Sequence, residues 1–329
     1  MTQPQLSPTP ATVPLVVIVG PTASGKSQLA VDVALELISR GRPAEVVNAD
    51  SMAVYVGMDI GTAKPTPQQR AAVRHHLVDV WSPEVTASVA EFQALARQVI
   101  ASLRDEGVVP VLVGGSALYT HAVTDVIDFP GTDPQVRARW QHRLDEVGPE
   151  ALHGELAALA PDAARQILPQ NGRRIVRALE VITLTGSFTA TLPEPAYALD
   201  DVHQFGLEVD RAEMDARIAT RVDQMWRDGL VDEVRRLEAR GLRAGRTASR
   251  ALGYRQVLDH LAGECTEDEA RLATIAQTKR FARKQLGWFR RDRRITWLPA
   301  GDPTAVERVV TAVLGVGELT DRHGDPAHP

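Results

Sequence analysis

Short apolar runs rich in β-branched residues alternate with segments of helical periodicity along much of this chain. The runs LVVIV, EVVNA, VVPVLV and VHQFGLEV predict strands at 15–19, 45–49, 108–113 and 202–209. Between the first three runs lie segments such as SQLAVDVALELISR and VAEFQALARQVIASLRDEG, whose apolar residues recur every three or four positions. Strands that alternate with helices predict βαβ units, and therefore an α/β fold with a parallel sheet.

The strand pattern stops between about Asp125 and Asp200. This stretch contains PQVRARWQHRLDEV, PEALHGELAALA and GRRIVRALEVITLTG, each bounded by Pro or Gly and each with helical spacing of its apolar residues. We therefore predict a helical insertion domain at 125–200 within an α/β core formed by 14–124 and 201–314. Long helices are expected in the second part of that core, at 212–240 and 267–291.

The composition is that of an ordinary globular protein. Of 329 residues, 44% are hydrophobic and 24% are charged, and the net charge of −5 excludes a chain that is basic overall but permits a local basic patch. No run approaches the roughly 18 apolar residues of a membrane span, so we expect a cytoplasmic protein without membrane association. We also expect a monomer, with disordered tails at 1–13 and 315–329. The single cysteine, Cys265, excludes an internal disulfide.

The segment GPTASGKS has the pattern of a phosphate-binding loop. Its glycines let backbone N–H groups converge on phosphate oxygens, Lys26 supplies a positive charge, and Ser27 offers a hydroxyl to Mg²⁺ at a helix N-terminus. The strand before it and the helical segment after it are the context that this motif requires, although a chance match in a glycine-containing turn is the alternative. The segment therefore predicts a P-loop NTPase-like core that binds a diphosphate group with a metal, through Gly20, Pro21, Thr22, Ala23, Ser24, Gly25, Lys26 and Ser27.

Two further segments follow predicted strands. Asp50 lies directly after the second strand, where open α/β sheets bind their ligands, so its side chain is expected near the phosphate loop. It is either a metal ligand or a loop cap on this evidence, and VVNAD is a poor match to the apolar run that precedes a metal-binding Asp in P-loop NTPases. The third strand ends in Gly114 and Gly115, which indicate either a tight turn or a close approach of the backbone to a ligand.

Basic residues are concentrated between Lys279 and Arg294. This segment holds eight basic residues and one acid, Asp292. At about 100° per residue, four of the basic side chains fall within about 60° of one another if the helix continues to Arg294. Such lopsided charge favours phosphate contact over a merely solvated face. Trp288 and Phe289 either stack on an unpaired base or anchor the helix to the core.

Six segments, taken in order, resemble the tRNA dimethylallyltransferase family: GPTASGKS, DSMAVYVGMDIGTAKP, VLVGGSALY, RRIVRALEV, ALGYRQVL and QTKRFARKQLGWFRR. These segments are distributed along the chain, and the resemblance covers nearly all of 15–298. Members of this family transfer the dimethylallyl group of dimethylallyl diphosphate to N6 of the adenosine immediately 3′ of the tRNA anticodon. The resemblance implies that the phosphate loop holds the diphosphate of this donor and not ATP, that Mg²⁺ is the cofactor, and that the partner is the tRNA anticodon stem-loop.

The resemblance also implies catalytic roles. Asp50 is expected to be the general base that takes the N6 proton, with Thr22 as its hydrogen-bonding partner at the reacting centre. Lys26 and Arg221 are expected to hold the leaving diphosphate, with the metal bound through Ser27. Arg217 lies one helical turn before Arg221, but the resemblance favours Arg221.

The expected tRNA contacts come from the resemblance alone. They lie in four segments and at two single positions: Asp50, Ser51, Met52, Ala53, Arg173, Arg174, Arg177, Arg250, Gly253, Tyr254, Arg255, Lys284, Gln285, Trp288 and Arg290, with Ser116 and Arg137. The helical insertion is expected to close over the anticodon stem-loop. Two positions depart from the family: Ser116 stands where many relatives have Thr, and Ala53 stands where a larger side chain is common.

Other function classes share parts of this pattern. A P-loop kinase of small molecules would use the same loop for ATP, and would need arginines near a γ-phosphate that the sequence does not identify. A prenyltransferase of free adenine nucleotides would share the chemistry of Asp50 without needing the basic segment or the insertion. A non-catalytic P-loop RNA-binding protein would not need Asp50 or the segment GMDIGTAKP.

Overall fold

The structure is a computed structural model that describes residues 12–191 and 193–315. The chain divides into two compact units. The larger unit comprises the described residues up to Thr124 and from Tyr197 onward, and the smaller unit is Asp125–Ala196. The segments expected to be disordered tails, 1–13 and 315–329, fall almost wholly outside the described residues. Within the described ranges, no helix is long and apolar enough to cross a membrane.

A parallel sheet of six strands forms the centre of the larger unit, which confirms the predicted α/β class. The strands are β1 (Leu15–Val19), β2 (Ala44–Asn48), β3 (His75–His76), β4 (Val109–Gly114), β5 (Val202–Glu208) and β6 (Thr296–Pro299). In the order β3-β2-β4-β1-β5-β6, every neighbouring pair is parallel. Alternate residues of β1 enter two different apolar clusters, Val17 with one and Val16 and Ile18 with the other.

Four of these strands match the predicted runs to within one residue at each end, and the other two were not predicted. His75 and His76 form β3 and pair with Val46 and Val47. Strand β6 begins shortly after the basic segment and pairs with β5. Both strands lie at the edges of the sheet, where short and partly polar segments suffice because only one neighbour is needed.

The first four helices belong to the larger unit. They are α1 (Lys26–Ser39), α2 (Pro67–Ala72), α3 (Val89–Asp105) and α4 (Ala117–Thr124). Of these, α1, α3 and α4 pack against strands of the sheet. Thr66 and Ser88 begin α2 and α3 with capping boxes, in which the hydroxyl accepts from the backbone three residues later. Helix α1 differs because Gly25 precedes it and no side chain caps its first turn.

The smaller unit consists of three helices, α5 (Pro134–Leu159), α6 (Pro161–Gln166) and α7 (Gly172–Thr185). Gly148 has non-helical angles, with φ of 79°, and divides α5 at the boundary between two of the predicted helical segments. The following Pro149 lacks an N–H group and therefore starts a new helical run well. The core of this unit contains Leu152, Leu156 and Leu179.

The remaining helices belong to the larger unit: α8 (Arg211–Arg227), α9 (Leu230–Glu238), α10 (Tyr254–Leu261), α11 (Glu267–Phe289) and α12 (Ala305–Leu314). Two helices replace the single long one expected at 212–240 because Gly229 adopts left-handed angles between α8 and α9. Helix α11 ends at Phe289, which is fully buried, whereas Trp288 is 48% exposed. One aromatic residue of this pair therefore anchors the helix and the other is available at the surface.

Candidate active site

The phosphate loop connects β1 to α1 and presents unpaired polar groups. Ala23 and Gly25 have positive φ angles of 63° and 92°, and Gly25 leaves the first amides of α1 without a side-chain cap. The hydroxyl of Ser24 is buried and has no hydrogen-bond partner among the described residues. Free amides at a helix N-terminus attract anions, so this loop has the features of a phosphate cradle.

Lys26, near the end of this loop, is buried. Its Nζ donates a hydrogen bond to the carbonyl of Pro21 at 3.2 Å. The pKa of Lys26 is lowered to about 8, chiefly by burial; the Asp50 carboxylate opposes this change and the nearby Arg221 adds to it. An anion bound beside Lys26 would stabilise the protonated form of its side chain.

Asp50 lies two residues beyond the end of β2, with each carboxylate oxygen in a different situation. Oδ1 accepts hydrogen bonds from the N–H groups of Met52 at 2.8 Å and Ala53 at 3.4 Å, which fixes the following turn. Oδ2 accepts none from the described part of the chain. The loop-cap interpretation is therefore correct for one oxygen, and the other oxygen remains available for chemistry.

Gln285 of α11 connects the phosphate loop to the turn after β4. Its Oε1 accepts from the N–H of Thr22 at 3.0 Å, and its Nε2 donates to the carbonyl of Gly115 at 2.6 Å. A Cβ at Gly115 would lie 2.6 Å from that Nε2, and one at Gly114 would lie 2.6 Å from the carbonyl oxygen of Ala49. The glycine pair is therefore required by close packing of protein groups beside the loop.

These elements surround one cavity of about 640 Å³, within the larger unit. Its volume lies in the range of about 300–1,000 Å³ that is usual for small-molecule sites. The phosphate-loop residues and Asp50 contribute polar groups, while α8, Met52 and Phe281 contribute apolar surface. The predicted site residues that line it are Thr22, Lys26, Asp50, Ser51, Met52, Ser116, Arg221, Arg250, Tyr254, Lys284 and Gln285.

The cavity is strongly cationic. Five basic residues line it against a single acid, Asp50. Burial lowers the pKa of Arg221, with Asp50 opposing the change, whereas the other arginine considered for this role, Arg217, forms an ion pair with Glu213 outside the cavity. The three remaining cations are exposed, and they have no ion-pair partner in the described ranges: Arg250, Arg280 and Lys284.

Several predicted residues lie outside the lining of the cavity. Ser27 is exposed in the first turn of α1 and does not line the cavity. Arg255 and Trp288 are also exposed and do not line it. The Arg290 guanidinium is exposed but forms an ion pair with Glu208 at 2.7 Å.

Four of the expected tRNA contacts are buried in the protein: Ala53, Gly253, Tyr254 and Gln285. Tyr254 has no exposed surface, and its hydroxyl donates to Glu233 at 2.6 Å. Ala53 is only 4% exposed, and both polar atoms of the Gln285 amide are used within the protein. These four positions therefore offer little side-chain surface outside the cavity, which Tyr254 and Gln285 line, and their contacts to RNA stay predictions.

The basic segment also differs from the predicted stripe. Since α11 ends at Phe289, Arg290 and Arg294 do not continue its helical face. Arg294 forms an ion pair with Asp292, and Arg283 forms one with Asp215, in which Nη1 lies 3.6 Å from Oδ1. The cations of this segment that face the cavity are therefore Arg280 and Lys284.

The arginines predicted in the insertion belong to the smaller unit. Arg177 donates to the carbonyls of Pro130 and Gly131 and to Glu180, so its guanidinium holds a turn in place. Arg137 lies 3.8 Å from the buried Glu180 carboxylate and keeps 44% of its side chain exposed. Arg174 donates to the carbonyl of Ala190, and Arg173 is exposed.

Sequence reasoning missed several residues of the cavity wall, including Gly61, Thr62 and Phe281. Phe281 is 44% exposed, which is unusual for an aromatic side chain that could pack in the core. Its position between basic residues in KRFARK is the signal that could have identified it.

Comparisons with known proteins agree on one family. The family model described as IPP transferase matches residues 53–292. A tRNA dimethylallyltransferase of Thermobifida fusca is 59% identical over 94% of this chain and 97% of its own length, and one of Cutibacterium acnes is 58% identical over 92% and 94%.

Solved structures show the same fold. The tRNA isopentenylpyrophosphate transferase of Bacillus halodurans has a TM-score of 0.67 and 37% identity, covering 92% of this chain and 96% of its own. A eukaryotic dimethylallyltransferase described as acting on tRNA has a TM-score of 0.74 over 90% of this chain and 77% of its own. At 23% identity, this second likeness concerns the fold alone.

Proposed function

Because this chain belongs to the IPP transferase family, we propose that it transfers the dimethylallyl group of dimethylallyl diphosphate to N6 of the adenosine immediately 3′ of the anticodon in tRNA. The observation that carries the proposal is the cavity. The phosphate loop and Asp50 line it together with apolar side chains, and exposed unpaired cations line it as well. A diphosphate donor with a short apolar group and an anionic RNA acceptor would use all of these features.

The phosphate loop and two cations would bind the donor. The uncapped amides of α1, with Lys26 and Arg221, offer positive charge to the diphosphate oxygens. Both cations are largely desolvated, so they would interact strongly with negative charge that grows on the leaving group. Ile218 and Val222 provide apolar surface beside Arg221 on α8, which suits a dimethylallyl group.

Asp50 would complete the substitution at the adenosine. As the N6 nitrogen forms a bond to C1 of the dimethylallyl group, the bond from C1 to the diphosphate oxygen breaks and its electron pair leaves with the diphosphate. The N6 proton would pass to Oδ2 of Asp50, since Oδ1 is held by Met52 and Ala53. The hydroxyl of Thr22 lines the same cavity and would hydrogen-bond at the reacting centre.

The donor set is compatible with a magnesium ion that is held mainly by the substrate. The described residues contain no group of three or more His, Cys, Asp or Glu that could form a protein cage for a metal. Mg²⁺ commonly binds through one or two protein oxygens together with substrate phosphates and water, and the Ser27 hydroxyl, in the first turn of α1, could supply one such oxygen. When bound, the ion would offset negative charge on the diphosphate.

The exposed cations favour RNA over a free nucleotide as acceptor. Arg250, Arg280 and Lys284 would lie near phosphates that a mononucleotide does not have. Phe281, between two of these cations, offers a face on which a base of an unpaired loop could stack.

The test is product analysis with matched substrates. Purified protein and Mg²⁺ are incubated with an unmodified anticodon stem-loop or with AMP, each with dimethylallyl diphosphate or ATP, and product masses are measured. We expect a dimethylallyl mass gain on the stem-loop only, and none with the Asp50→Ala variant. Gain on AMP would indicate a prenyltransferase of free nucleotides, and phosphate transfer from ATP would indicate a kinase; either result would contradict the proposal.

A further inference from the structure

One buried acid near the cavity has no role in the reaction described above. Glu233 lies on α9, is 2% exposed, and is surrounded on its helix by the buried residues Leu230, Val234 and Leu237. Burial of a carboxylate is costly unless hydrogen bonds compensate for the lost water, so the groups around Glu233 identify what it does.

Four donors from two segments converge on this carboxylate. The N–H groups of Asp59 and Ile60 donate to Oε2 at 3.1 and 2.8 Å, and the N–H of Gly61 donates to Oε1 at 3.4 Å. The Tyr254 hydroxyl donates to Oε1 at 2.6 Å. Both oxygens of a carboxylate can accept from these donors, whereas an amide would place its own N–H groups against some of them.

Both segments form walls of the cavity. Gly61 and Thr62 line it on one segment, and Tyr254 lines it together with the residues just before α10. The two walls are also in direct contact, because a Cβ at Gly61 would lie 2.4 Å from the Tyr254 ring. A change at Glu233 would therefore move the walls without removing any group that touches a substrate.

We propose that Glu233 is a positioning residue, whose carboxylate holds the turn 59–61 and the start of α10 in the arrangement that receives the adenosine. The inference rests on the proposed function. Arg250 lines the same cavity and is exposed, so this wall is reached by the RNA substrate, whereas the diphosphate is expected at the phosphate loop. Displacement of a substrate-positioning wall by about 1 Å can reduce a rate about a hundredfold.

The turn has a second attachment, so variants at Glu233 are expected to fold. Lys64 is buried and donates to the carbonyl of Tyr55 at 2.6 Å and to Asp59 at 2.7 Å, independently of Glu233. Its Nζ also pairs with Asp79. These contacts keep the turn closed when Glu233 is altered, and leave its position against Tyr254 as the property that changes.

The test compares Glu233→Gln and Tyr254→Phe with Asp232→Asn, which neutralises the adjacent exposed acid of the same helix. Rate constants are measured per folded enzyme, with dimethylallyl diphosphate and the stem-loop varied separately. For Glu233→Gln we expect kcat/KM for the stem-loop to fall about 10- to 100-fold while the donor dissociation constant stays within about threefold. Tyr254→Phe should lose about three- to tenfold, since it removes one hydrogen bond and keeps the ring.

The double variant should lose less than the product of the single losses, because both changes break the same contact between Tyr254 and Glu233. Lower melting temperatures with wild-type kcat/KM would overturn the inference, since that is the result of a merely structural role. If Glu233→Gln does not fold, unchanged kcat/KM in Tyr254→Phe has the same meaning. Failure of the wild type and Asp232→Asn to prenylate the stem-loop would overturn the proposed function, and this inference with it.

Discussion

The protonation of Lys26 should control donor binding near neutral pH. With a pKa of about 8, the ammonium is about nine-tenths protonated at pH 7 and about one-tenth protonated at pH 9. If only the protonated form binds the diphosphate, the donor dissociation constant rises about tenfold over this interval. Phosphate oxygens with a pKa near 6 are already about nine-tenths ionised at pH 7, so the tenfold change would report mainly on the protein.

The neighbours of Lys26 allow a sharper version of this experiment. Asp50 raises the pKa of Lys26 and Arg221 lowers it, so Asp50→Asn should move the midpoint of the titration to lower pH and Arg221→Gln should move it to higher pH. Calorimetric titration with dimethylallyl diphosphate in the absence of RNA measures these midpoints without turnover. Lys26→Met, the control, should bind weakly at every pH. A dissociation constant that stays constant from pH 7 to 9, or two midpoints that move in the same direction, would refute the reasoning.

Three other outcomes are expected. Asp50→Ala should abolish transfer and leave stem-loop affinity almost unchanged, because it removes a proton acceptor; near wild-type turnover would exclude the base role. The double variant Arg280→Ala/Lys284→Ala should reduce the slope of log affinity for the stem-loop against log salt concentration by up to about one per lost phosphate contact. Arg290→Ala should reduce this slope less, because Arg290 is already paired with Glu208. Slopes equal to that of the wild type in all variants would mean that these cations are solvated and do not contact phosphates. Gln285→Ala leaves the buried carbonyl of Gly115 and the part-buried N–H of Thr22 unpaired, and it should cost about 1–3 kcal/mol of unfolding free energy in urea titrations; a loss below about 1 kcal/mol would mean that water replaces the amide.

The parts of this fold that the sequence could predict are those with local signals. Strands β1, β2, β4 and β5 are apolar because they lie inside the sheet, and their runs located them to within one residue. Strand β3 has only two residues, and β6 ends in Pro299, so neither shows a periodicity that a window of sequence can detect. The break at Gly229 was visible as a glycine but not as a left-handed residue, since its angle depends on the packing of both helices.

The residues of the candidate site can also be separated into those with a local sequence signal and those without one. The phosphate loop and Asp50 were identifiable because their motif and strand position are local. The role of Gln285 depends on a partner 263 residues away, which no local pattern encodes. Glu233 did carry a signal, because an acid among the apolar positions of α9 contradicts the helix periodicity and indicates a buried partner. The burial of Tyr254 and Gln285, two of the expected RNA contacts, had no such signal, because a match of segments does not show which residues are exposed.

The side-chain amide of Gln285 also bears on how each substrate affects the binding of the other. Helix α11 carries Lys284 in the cavity wall and, at the next position, the side chain that holds Thr22 of the phosphate loop. Any shift of this helix on RNA binding would be transmitted to the loop, and any tightening of the loop around a diphosphate would be transmitted to the helix. Thermodynamic linkage then requires each substrate to change the affinity of the other by the same factor. The side chain of Gln285 would thus couple the affinity at each substrate's site to occupancy of the other site.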